Sequence, residues 1–102
     1  MEHYIEYLDA AILRLKEEER SLLASDRKDE ADLTKIRGNV YGICRTVVKV
    51  LDAEAFRNKM DGLHREWTAA LELALAHGDG KRAAIEEIKL ETLADAAAHF
   101  VG

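Results

Sequence analysis

The chain has 102 residues, no proline and a single cysteine, Cys44. Without proline no helix is obliged to kink or stop, so helix ends have to be read from glycine, capping residues and hydrophobic phase. One cysteine excludes an internal disulfide and a four-cysteine zinc site, and its apolar neighbours predict an inert core thiol. No apolar run is long enough to span a bilayer, and no charged lead with an apolar stretch and cleavage site is visible, so the expectation is a cytoplasmic protein with no membrane role. Basic charge is also in deficit: 15 Lys and Arg stand against 20 Asp and Glu, a net charge of -5. That sign opposes attraction to nucleic acid, and none is expected as a partner. There is no hydrophobic strand pair, internal repeat or low-complexity tail.

What remains is helical phase. Hydrophobic residues make up 48% of the chain and charged residues 34%, a globular balance for one domain over residues 1–102. In the first segment, about 2–24, Tyr4, Ile5, Leu8, Ala11, Ile12, Leu15, Leu22 and Leu23 recur at three- and four-residue steps and share a face, with Glu19 near its middle. Glu19 therefore needs water or a cationic partner. The polar run Ser25–Asp32 separates this segment from the next, about 29–51, with Ser25 or Asp26 as expected N-cap. The second segment places Leu33, Ile36, Val40, Ile43, Val47 and Val50 or Leu51 on its expected core face.

Carrying helical phase through Asp52 would put Phe56, Met60, Leu63, Trp67, Ala70, Leu71 and Ala74 on nearly the opposite side of one rod, which a single core cannot use. A reversal at Asp52, with that residue as N-cap, predicts a third helix over about 53–77. Gly78 is suited to a left-handed C-terminal turn and Asp79 to capping a fourth helix over about 80–100. Four such segments on short links predict an all-α, antiparallel up-down four-helix bundle. The alternative is a pair of helical hairpins that complete a bundle by dimerising, because phase does not distinguish partners within a chain from partners between chains.

The second segment carries Gly38 and Gly42 in its interior, each costing roughly 1 kcal/mol relative to alanine. On a helical wheel both lie opposite the apolar arc, beside Lys35, Asn39, Arg45, Thr46 and Lys49. Three readings follow. The face is solvated; or a second backbone approaches it, with Asn39 or Thr46 supplying hydrogen bonds; or Lys35, Arg45 and Lys49 form a strip for a small anionic ligand or an acidic protein.

No catalytic constellation emerges. Asp61 and His64 have a usable metal-ligand spacing but no matching set, the run Glu87, Glu91, Asp95 and His99 reads as a solvated face, and Cys44 lacks a local base. No metal or cofactor is expected and an enzyme is the less favoured reading. The functional expectation is a helical-bundle protein with a structural or protein-interaction role, self-associating as a homodimer.

Overall fold

The computed structural model describes residues 2–101. Among the described residues it is an all-α four-helix bundle: α1 (Glu2–Ala24), α2 (Lys28–Val48), α3 (Ala53–Ala76) and α4 (Gly80–Ala98), with no strand. Local chemistry accounts for the ends. Asp52 caps α3 by accepting from the Ala55 N–H at 2.8 Å, and Asp79 caps α4 by accepting from the Arg82 N–H at 3.0 Å. Gly78 takes the left-handed conformation at φ 66°, and the Asp79 N–H closes back onto the Ala74 carbonyl at 2.9 Å.

The link between α1 and α2 corrects the sequence expectation. Asp26 is not an N-cap: it sits at φ 59° as the left-handed residue ending α1, and the Arg27 N–H bonds back to the Leu22 carbonyl at 2.9 Å. Arg27 then occupies the N-cap position of α2 without any side-chain cap. Aspartate tolerates this conformation better than most residues, which is why a turn without glycine can still close.

The helices pair as α1 with α2 and α3 with α4, both antiparallel hairpins, and the hairpins meet chiefly along α2 and α4. Those two run parallel, since Tyr41 meets Asp95 near their C-terminal ends while Leu33 and Ile36 face Ala84 and Ile85 near their N-terminal ends. Direct contact between α2 and α4 flattens the bundle to 38 × 35 × 18 Å. Its radius of gyration is 14.5 Å, against about 12.8 Å for a compact chain of this length. Its accessible surface is 6518 Å², about 700 Å² more than is typical for this mass.

All four helices converge at one end of the slab. Tyr4, Phe56 and Phe100 form an aromatic cluster there, with ring centroids 4.4–5.8 Å apart, and Cys44 Sγ lies 3.7 Å from Met60 Sδ. The Tyr4 hydroxyl donates to the Ala96 carbonyl at 2.8 Å, tying α1 to α4. At the other end α1 lies outside the shared core: no residue of 16–24 is buried.

The expected core faces of α1 and α3 are recovered in Tyr4, Leu8, Ala11 and Leu15 and in Phe56, Met60, Leu63, Trp67 and Ala74. That of α2 is not. Its buried residues are Ala31, Thr34, Val40, Tyr41, Cys44 and Val48, whereas Ile43 and Val50 are exposed and Leu33, Ile36 and Val47 are half-buried. The helix is rotated by roughly one residue's angular step from its apolar arc, about 100°. Two inward-facing polar residues fit this orientation. Tyr41 is brought inward to reach Asp95, and Thr34 satisfies its own hydroxyl on the Glu30 carbonyl at 2.9 Å, so its burial leaves no unpaired donor.

Candidate functional site

The rotation of α2 changes where its glycines point. Gly38 and Gly42 are half-buried and line a groove of ≈ 620 Å³ between α1 and α2. Apolar groups from Ile12, Leu15, Ile43 and Val47 dominate its lining, while Lys16, Glu19, Lys35, Asn39 and Thr46 supply polar groups. Two contacts give the register of the walls. Asp9 faces Arg45, and a Cβ added to Gly38 would lie 3.9 Å from Leu15 Cβ. Antiparallel pairing then sets Ile12 level with Gly42 and Glu19 level with Lys35.

Neither glycine is required by packing inside the chain. A Cβ at Gly38 would make an ordinary van der Waals contact, and one at Gly42 would meet nothing within 4 Å. Asn39 and Thr46 are both exposed; the Thr46 hydroxyl is spent on the Gly42 carbonyl at 3.0 Å. Of the three expected cations, Arg45 is engaged by Asp9 through two guanidinium contacts, one at 3.3 Å. The bonded Arg45, together with the Lys49 charge, holds the Asp9 carboxyl below its usual range. The basic strip is thus opposed by an acid at one end, and Lys35 stands at the other beside Glu19 in the groove lining.

A second polar cluster escaped the sequence reading. Glu87 and Glu91 are exposed, in keeping with a solvated face, but Asp95 is half-buried and accepts hydrogen bonds from the Tyr7 hydroxyl and, at 2.5 Å, from the Tyr41 hydroxyl. The His99 ring stacks on Tyr7 at 4.0 Å. Burial alone would push the Asp95 carboxyl up, yet the two phenol donors and the neighbouring His99 and Arg14 charges bring it net below the usual range. Burial, reinforced by Asp95, pushes both phenols the other way. A carboxylate held ionised and phenols held protonated make neither a general base nor a nucleophile near neutral pH. The cluster is a polar tie across α1, α2 and α4. No sequence signal marks it, since its members are 34 and 54 residues apart.

Glu86 was also missed. It is fully buried on α4, with Arg82 Nε and Lys89 Nζ each 3.0 Å from one of its oxygens, at angles outside hydrogen-bond geometry. Lys89 lies 4.6 Å from the Trp67 ring centroid and so bridges the carboxylate to an aromatic face. The i−4 and i+3 spacing of Arg82 and Lys89 around Glu86 was the available clue.

Elsewhere the chemistry is quiet. Burial raises the Cys44 thiol to about 11, so it remains a protonated core group. Asp61 and His64 are exposed, and no group of three potential metal ligands converges among the described residues. Among the described residues no helix is long and apolar enough to cross a membrane. Compared with known proteins, the chain matches no family model, no curated protein and no solved structure.

Proposed function

We propose that this protein is a self-associating helical-bundle module with a structural or protein-interaction role, and that the α1/α2 groove is the face through which copies meet. One observation carries the reading. An apolar groove runs beside a glycine, Gly42, whose missing side chain answers to nothing in its own chain. A bare helix position costs roughly 1 kcal/mol, and close approach by a second molecule gives that cost a physical return.

The flattened bundle exposes about 700 Å² more surface than is typical for its mass. Residues 16–24 of α1 contribute nothing to the core of their own chain, so covering them would complete the hairpin's packing. Binding of a small anion along Lys35, Arg45 and Lys49 is less supported, because Arg45, the cation able to grip a carboxylate bidentately, already holds Asp9.

Light scattering across a concentration series tests the proposal. A mass that rises to twice that of the chain is expected; a strict monomer up to roughly millimolar concentration, where even a 4 kcal/mol association would register, overturns it.

A further inference from the structure

Two copies that meet through this groove about a two-fold axis have two simple ways to do so. The axis lies in the interface, either along the helices or across them. An axis along the helices keeps levels matched and sets α2 of one copy on α1 of the other. An axis across the helices inverts the levels and sets α2 on α2.

Charge separates the two. The cations flanking the α2 side of the groove are Lys35, Arg45 and Lys49, and the acids flanking its α1 side are Asp9 and Glu19. With α2 on α2, Lys35 approaches the basic end of the partner helix, while Asp9 and Glu19 are brought toward one another across the interface. With α2 on α1, cations meet acids at both ends. Lys16 then lies level with Gly38, which carries no charge. Like-charge juxtaposition is the stronger discriminator between docking modes.

Resting on the self-association proposed above, we infer that the axis runs along the helices, so that two α1/α2 hairpins form an intermolecular four-helix packing with antiparallel neighbours. Lys35 meets the partner's Glu19, and the partner's Ile12 seats over Gly42, at the level where the missing Cβ leaves open space. Ile12 is half-buried in the isolated chain, so part of its side chain remains to be covered. Branched aliphatic side chain over glycine is a knob-and-hole contact of ordinary helix packing.

The test is a charge swap read by analytical ultracentrifugation. Glu19→Lys and Lys35→Glu are each expected to weaken self-association about tenfold, because symmetry applies each unfavourable pairing twice. An equimolar mixture of the two should recover the parental affinity as a heterodimer, since both cross-pairs are then opposite in sign. Gly42→Leu should associate at least tenfold more weakly, with a thermal melt verifying that it folds. If the mixture stays as weak as the single variants, or Lys35→Glu alone tightens the dimer, the register is overturned while self-association stands. A parent chain that never dimerises is a failure of the underlying proposal instead.

Discussion

Replacing Gly42 with alanine isolates what that bare position costs the folded chain. The added Cβ has no atom within 4 Å to strike, so the substitution carries no packing penalty. Its effect reduces to helix propensity and to the lost flexibility of the unfolded chain, together about 0.5–1 kcal/mol in favour of folding. Gly62, in the interior of α3, has equally open surroundings and supplies a control away from the groove. Urea denaturation followed by circular dichroism, at protein concentrations low enough to keep the chain monomeric, should show the same gain for Gly42→Ala and Gly62→Ala. Each corresponds to a rise of roughly 2–8 °C in Tm for a domain of this size. Gly38→Ala should gain slightly less or the same, because its Cβ meets Leu15 at an ordinary 3.9 Å. A loss of stability in Gly42→Ala under these conditions would refute the reasoning, since it would mean that the chain's own packing requires the glycine.

Three further outcomes are expected. Asp26→Gly should raise stability by about 0.5–1 kcal/mol in the same denaturation assay, as the left-handed conformation at φ 59° then carries no Cβ penalty; an unchanged midpoint would contradict that. For Asp95 the folded carboxyl lies below its unfolded value of 3.8, so its contribution is complete above that value and fades as pH falls through the lower folded one. Asp95→Asn should therefore reduce stability at pH 7 and flatten the acid limb below about pH 4, and an acid limb identical to the parent's would count against the polar tie. Lys89→Met should cost about 1–3 kcal/mol by leaving Glu86 buried with Arg82 alone, whereas the double variant with Glu86→Met should recover most of it. A single variant as stable as the parent would show that Lys89 does not compensate the buried charge.

Local chemistry is legible along the chain because it acts over a few residues. Asp52, Gly78 and Asp79 announce their turns and caps by side-chain identity, and the α1 and α3 core stripes follow from apolar residues at helical spacing. The same logic placed only part of the buried face of α2, where Ile43 and Val50 stay exposed while Ala31 and Thr34 turn inward. Phase weighs hydrophobicity residue by residue; it does not register that a tyrosine at 41 can bury its ring and still satisfy its hydroxyl on a carboxylate 54 residues later. Glu86 and Asp95 were hidden for the same reason, as polar residues whose burial depends on partners that folding supplies. Sequence by itself determined four helices, the turns and caps that start α3 and α4, and two of the core faces. Only tertiary structure decided which way α2 faces, and that orientation puts Gly38 and Gly42 in the lining of a groove, because burial of Tyr41 and Thr34 depends on hydroxyl partners that phase along one helix does not weigh.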